Sequence, residues 1–208
     1  MSVESIGRDS FGRWARRILP PVRSSTLRCS VYVATSLDGF IAREDGSIDW
    51  LDRASASVPN GEDCGFADFM TSVDVMVMGR KTYEQIVGFG EWPYGDTPIV
   101  VLSRSLDELP GGPRAGVSLS SERPRELVAR LASEGFRHVY VDGGATIQGF
   151  LADDLLDELT ITVIPVVLGA GRRLFGALAD DVHLEHESTR AFDFGFVQHR
   201  YRVPRLIR

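Results

Sequence analysis

The sequence predicts an α/β domain built on a mainly parallel sheet and closed at its C-terminal end by an antiparallel pair of strands. Three observations predict it. Strand-like runs at residues 29–35, 73–78, 98–102, 138–141 and 158–164 alternate with helical patterns at 63–71, 81–87, 123–134 and 146–151. The early strands lack polar alternation, as expected where helices cover both faces of a parallel sheet. After Ile164 the pattern changes to Pro and Gly, followed by two alternating segments at 182–189 and 192–203 that read as an antiparallel pair.

Taken in order, the first strand ends in Ser36-Leu37-Asp38-Gly39, where Asp followed by Gly is good turn chemistry. The next helical pattern opens with Glu62 and Asp63. The strand Val75-Met76-Val77-Met78 then breaks at Gly79 into what reads as the first turn of a helix. Such a junction suits a phosphate, because a glycine turns the backbone without a side chain and the first N–H groups of the helix point outward. Arg80, Lys81 and Thr82 add charge and a hydroxyl there, and Lys81 is the only lysine in the chain. A second junction of this kind follows the strand at 138–141, where Gly143-Gly144 leads into a helical pattern with Thr146 in its first turn. Two such turns suggest one ligand with several phosphates. The spacing of Leu127, Val128, Leu131 and Ala132 marks the core-facing stripe of the third helix. Gly169-Ala170-Gly171 does not complete a dinucleotide fingerprint, since Leu174 stands where its third glycine belongs.

A length of 208 residues with 43% hydrophobic content supports one core and one domain, residues 28–208. Residues 1–27 differ from the rest and are expected to be a mobile extension. They carry five arginines against two acids, and Phe11, Trp14, Ile18 and Leu19 fall on one helical face; a functionless tail fits this composition equally. A net charge of −6 argues against nucleic-acid and anionic-membrane partners, so any anion site must be local. The longest apolar run, 161–168, contains Pro165 and falls far short of the roughly 20 residues of a membrane span. A cytoplasmic protein is expected. Cys29 and Cys64 read as reduced thiols, and His183 and His186 would point to opposite faces of a strand, so no metal site is expected.

The order of motifs resembles the dihydrofolate reductase superfamily across roughly residues 29–202. The resemblance rests on VATSLDGFIA at 33–42, VMGRKTYE at 77–84, IVVLSRS at 99–105 and VDGGATI at 141–147. A further piece, DELTITVIPVVLGAGRRLF at 157–175, is similar to the pyrimidine reductases of riboflavin biosynthesis in particular. The resemblance implies a dihydrofolate reductase-like three-layer fold, its central mixed sheet of about eight strands mostly parallel with an antiparallel C-terminal hairpin, and NADPH as cofactor. It implies that Gly79, Arg80, Lys81 and Thr82 meet the pyrophosphate and the 2′-phosphate side, and that Ser103 and Arg104 flank the adenosine ribose. Gly143, Gly144, Ala145 and Thr146 would close over the pyrophosphate. Val33, Ala34, Ile41 and Ala42 would line the nicotinamide. Arginines at 80 and 104 supply charge-assisted donors suited to a phosphate dianion, which favours NADPH over NADH.

Hydride transfer to a C=N or C=O bond also needs a proton source. Dihydrofolate reductases carry a carboxylate at the start of the helix before the Gly-Arg turn, so the resemblance makes Asp63 the first candidate, although its place also suits an acid that complements a helix dipole. Asp38 is the second, with the alternative that it holds the loop over the nicotinamide. Tyr32 occupies a position where the riboflavin-pathway reductases place a lysine for the ribosyl phosphate, and Trp50 is a flat wall suited to a heterocycle or to a core. The expected activity is NADPH-dependent reduction of a small heterocycle, either a pyrimidine of the 5-amino-6-(5-phosphoribosylamino)uracil type or a pterin such as dihydrofolate. The alternative is a non-catalytic NADP(H)-binding module that acts as a sensor or partner subunit. Relatives lead one to expect a homodimer.

Overall fold

The computed structural model describes residues 27–204 apart from Glu91, so the expected N-terminal extension, Leu27 excepted, lies outside the described residues. Eight strands form one sheet in the order β5-β4-β3-β6-β1-β7-β10-β9. They are β1 (Arg28–Ser36), β3 (Val75–Gly79), β4 (Ile99–Leu102), β5 (Val117–Ser120), β6 (His138–Asp142), β7 (Glu158–Ile164), β9 (Glu185–Ala191) and β10 (Val197–Arg202). Every pairing from β5 across to β7 is parallel, and β10 pairs antiparallel with both β7 and β9. Two further strands, β2 (Phe40–Ala42) and β8 (Arg172–Arg173), make a separate antiparallel ribbon.

The central strands are buried on both faces, which is why their sequence shows no polar alternation. The strand period of two sorts their side chains into two layers. Val75, Val77, Val139 and Val141 face one way, into a core completed by Leu127, Val128 and Leu131 of α4 (Pro124–Ser133) and by Ile147 and Phe150 of α5 (Gly144–Ala152). Leu27 packs in the same core. Met76, Met78, Ile99, Val101 and Tyr140 face the other way. They meet Tyr83 and Ile86 of α3 (Arg80–Gly88) and Phe66 and Phe69 of α2 (Phe66–Thr71). A third cluster joins Trp50 of α1 (Asp49–Ser55) to Ile164, Phe192 and Phe196.

Polar knots fix the strand ends. His138 is only 4% exposed, and its Nε2 lies 2.9 Å from Ser30 Oγ while its Nδ1 lies 2.8 Å from the Ser72 carbonyl. Asp74 Oδ2 accepts from the backbone N–H groups of Arg137 and His138, both at 2.8 Å. At the start of α4, Pro124 occupies the first helical turn and Glu126 accepts from the Arg123 N–H at 3.0 Å.

The topology also fixes where a ligand fits. From β3 the chain passes through α3 to β4 on one side, whereas from β6 it passes through α5 to β7 beyond β1 on the other. The adjacent pair β3 and β6 is therefore the switch point of the sheet. A crevice opens outside the C-terminal ends of parallel strands at such a place.

Candidate active site

Both helices that leave the switch point start at a glycine, and the two turns interlock. Gly79 ends β3 with φ −81° and ψ 160°, and a Cβ added there would lie 2.9 Å from Thr146 Oγ1 of the opposite turn. Gly143 follows β6 with φ 87° and ψ 131°, and a Cβ there would overlap Thr82 Oγ1. Each glycine thus accommodates the threonine of the other helix. Neither α3 nor α5 has a side-chain cap, which leaves their first N–H groups free to meet a ligand. Both are nine residues long, enough for a substantial dipole at each N-terminus.

These turns form the floor of a groove of about 1290 Å³. All fourteen residues expected to hold a cofactor line it: Val33, Ala34, Ile41, Ala42, Gly79, Arg80, Lys81, Thr82, Ser103, Arg104, Gly143, Gly144, Ala145 and Thr146. Arg80 is held by Glu84 at 3.0 Å, one helical turn along. Lys81 and Arg104 are exposed. The Ser105 N–H donates to Ser103 Oγ at 3.3 Å and shapes the turn after β4. Free helix N–H groups, missing side chains and nearby cations coincide at this cradle, a combination that could hold the phosphates of a dinucleotide. Among the described residues no cluster of three or more His, Cys, Asp or Glu side chains is arranged to hold a metal.

The aromatic part of the groove draws on both middle strands. Tyr32 of β1 is half-buried; its hydroxyl donates to the Cys64 carbonyl and accepts from Gln198 Nε2 at 3.0 Å. Its ring stacks on Phe69 with centroids 4.8 Å apart, and burial raises its pKa. Tyr140 donates to the Tyr32 carbonyl at 2.9 Å. Tyr94 reaches the groove from the loop before β4, packed edge-on against Trp92.

The two expected acids are placed elsewhere. Asp38 does not line the groove. Its carboxylate accepts from Ser36 Oγ at 2.7 Å, Leu168 N–H at 3.1 Å and Gly169 N–H at 2.7 Å, tying the β1–β2 turn to the loop after β7. The Ser36 hydrogen bond, helped by the two backbone donors, holds its pKa down at about 2. Asp63 accepts from the N–H groups of Ala67 at 2.7 Å and Gly65 at 2.8 Å, which sets the start of α2 and lowers its pKa. Trp50, at 3% exposure, is packed into its core, while its neighbours Ile48 and Leu51 line the groove.

One groove carboxyl had no role in the sequence reading. Asp142, the last residue of β6, is half-buried and lines the groove. Strand alternation puts it on the same face as Tyr140. Burial pushes its pKa up to about 6, against the lowering effect of the Gly143 N–H that donates to its Oδ1 at 2.8 Å. The signal available in the sequence is an acid that closes a largely apolar strand directly before the Gly-Gly pair.

An eight-stranded mixed sheet with a ligand groove at its switch point defines a protein with a dihydrofolate reductase-like fold. The chain belongs to the RibD C-terminal domain family, whose sequence profile matches residues 29–198. The uncharacterized protein YwjB of Bacillus subtilis (strain 168) is 38% identical over 175 residues, covering 83% of this chain and 97% of YwjB. The crystal structure of a "putative riboflavin biosynthesis protein" from Shewanella sp. PV-4 superposes with a TM-score of 0.80 at 38% identity, over 86% of this chain and all of that one. Dihydrofolate reductase from Enterococcus faecalis, solved with NADP(H), has a TM-score of 0.55 at 17% identity, covering 86% of this chain and 95% of that chain; this likeness shows the fold alone. Among the described residues no helix is long and apolar enough to cross a membrane.

Proposed function

We propose that the protein is an NADPH-dependent reductase that transfers hydride to a small heterocycle, a pyrimidine of the ribosylaminouracil kind or a pterin. The observation that carries this reading is the interlocked pair of glycine turns at the switch point, each opening an uncapped helix onto one continuous groove. The backbone N–H groups at the starts of α3 and α5 hold the pyrophosphate, with Thr82 and Thr146 packed behind them. Arg80, Lys81 and Arg104 meet the 2′-phosphate, and Ser103 lies by the ribose. Val33, Ala34, Ile41 and Ala42 form the small, apolar bed of the nicotinamide, and NADPH bound there would supply hydride.

The substrate then lies against the aromatic side of the groove, where Tyr32 and Tyr94 offer flat walls with polar edges. Asp38 keeps the β1–β2 turn in place beside the nicotinamide bed, and Asp63 sets α2, whose Phe66 and Phe69 back the Tyr32 ring. Trp50 acts from behind, by seating Ile48 and Leu51. The working protein is a cytoplasmic homodimer in this reading, and light scattering on the purified chain tests the dimer.

A specific observation favours a second reading. Both acids expected to serve chemistry are tied up in backbone hydrogen bonds, as they would be in a module that binds NADP(H) without turnover. The two readings separate by oxidation of NADPH in the presence of dihydrofolate or the ribosylaminopyrimidine. Oxidation with either acceptor supports the reductase. NADPH binding without oxidation by any heterocycle supports the binding module. Within the reductase reading, Arg104→Ala removes one charge-assisted contact of about 1.5–3 kcal/mol, so the NADPH-over-NADH preference falls roughly 10–100-fold. An unchanged preference in both Arg80→Ala and Arg104→Ala refutes the placement of the 2′-phosphate.

A further inference from the structure

The edge of the sheet carries a pair of histidines that the groove does not use. They belong to β9 and β10, and β9 lies four strands from β6, about 19 Å across the sheet. His186 of β9 and His199 of β10 converge on one oxygen, the Thr189 hydroxyl. His186 Nε2 is 2.7 Å from Thr189 Oγ1, and His199 Nδ1 is 3.0 Å from it. His186 and Thr189 are exposed, and His199 is half-buried. Tyr201 packs against both imidazoles, stacked with His199 at 6.0 Å between centroids and edge-on to His186 at 5.7 Å.

A bulge in β9 creates this convergence. In a regular strand, residues three apart point to opposite faces, so His186 and Thr189 would not meet. The β9–β10 register pairs Thr189 with His199 and Ser188 with Arg200, and then skips Glu187 to pair His186 with Tyr201. The skipped residue turns His186 onto the face of Thr189, His199 and Tyr201. The same register leaves Arg190, Arg200 and Arg202 on the other face, where they pair with Glu62, Glu158, Glu185 and Glu187. No arginine of these two strands therefore stands beside the histidines to repel a cation.

A hydroxyl has one hydrogen, so that of Thr189 donates to one imidazole and accepts from the other. One of the two ring nitrogens is thus already bare, and a tautomer shift bares the second without charging either ring. Two bare imidazole nitrogens aimed at one point are ligands for a transition-metal ion. Rotation of Thr189 about χ1 clears the place of its hydroxyl, and rotation of the exposed His186 ring closes the two nitrogens to bonding distance.

We propose that His186 Nε2 and His199 Nδ1 bind one divalent transition-metal ion of the imidazole-preferring kind, represented by Zn2+, with water in the remaining positions. Mg2+ is not a ligand of this site, because it takes oxygen donors. The two histidines come from neighbouring strands, so the ion clips β9, the open edge of the sheet, to β10. The site goes beyond the reductase reading and does not depend on it.

The test is a calorimetric titration of the chain, free of any purification tag and stripped with EDTA, with Zn2+ and with Mg2+. One equivalent of Zn2+ should bind with a Kd in the micromolar range, and Mg2+ should not bind. His186→Ala and His199→Ala should each weaken Zn2+ at least about tenfold. Thr189→Val, which removes the hydroxyl and neither ligand, should hold Zn2+ within about threefold of wild type. Zn2+ at about a hundredfold excess over its Kd should raise the wild-type Tm by about 5–10 °C, and by far less in either histidine variant. Ring-nitrogen NMR should show His186 Nε2 and His199 Nδ1 as the metal-bound atoms. Zn2+ binding that survives both histidine variants overturns the proposal, as does the absence of one-to-one binding in wild type.

Discussion

Replacing Gly143 with alanine probes the interlocked turns at their tightest point. With φ 87° and ψ 131°, position 143 takes a backbone shape that L-residues avoid, and a side chain there costs about 1–2 kcal/mol. The new methyl also overlaps Thr82 Oγ1 in the first turn of α3, and relieving it means shifting that turn or rotating Thr82, an overpacking cost of about 1–3 kcal/mol. Loss of glycine's freedom in the unfolded chain returns about 0.4–1 kcal/mol. The net loss is therefore about 1–4.6 kcal/mol, or about 2–18 °C in Tm for a domain of this size. Because the strain falls on the N–H groups proposed to hold the pyrophosphate, NADPH affinity should fall with it. The control is Gly88→Ala at the end of α3, where the added Cβ meets nothing within 4 Å and φ is not positive. It should leave NADPH binding unchanged and stabilise the fold by up to about 1 kcal/mol. Urea melts and NADPH fluorescence titrations of both variants decide the matter. A Gly143→Ala protein with wild-type midpoint and affinity refutes the reasoning about the paired turns.

Other expectations concern the supporting residues. Burial lowers the His138 pKa below 6.5, so the folded state binds fewer protons than the unfolded one, and this contribution to stability is lost as pH falls below 6.5. Asp142 runs the opposite way between about pH 4 and 6, and the His138 effect is read as the difference between wild type and His138→Asn in urea midpoints at pH 5 and 7.5. A difference that does not depend on pH contradicts it. Tyr32→Phe removes the hydroxyl shared by Cys64 and Gln198 and should cost about 1 kcal/mol in a urea melt; no change contradicts the bond assignment. Asp38→Ala releases the loop after β7 from the β1–β2 turn, and NADPH affinity should fall while the fold survives; unchanged affinity in a titration separates that turn from the cofactor bed.

How far the sequence could be read follows from the length and burial of each element. The strands at 75–79, 99–102, 138–142 and 158–164 were legible because each is dominated by apolar and β-branched residues, and the two glycine turns because the helical pattern begins at once behind them. The elements that escaped are short or thinly buried. The seven residues of α1 bury one side chain, Trp50, and β2 and β8 have three and two residues. Residues 117–120 of β5 lie on the sheet edge and carry no fully buried side chain. Trp50 reads equally as pocket wall or core in sequence, and only the packing of Phe192, Phe196 and Ile164 around it decides for the core. Asp63 and Asp142 show the same limit for acids. One is spent on the N–H groups that open α2, and the other is desolvated by burial in the folded groove, where Tyr94 arrives from a distant loop. Neither fact can be read from spacing along the chain.

The most direct test of the central claim, that the two turns hold NADPH, is a fluorescence titration of the protein with NADPH and with NADH in parallel. The account predicts saturable one-to-one binding of NADPH, tighter than that of NADH. Absence of binding by either nucleotide would contradict it and leave the groove without its proposed cofactor.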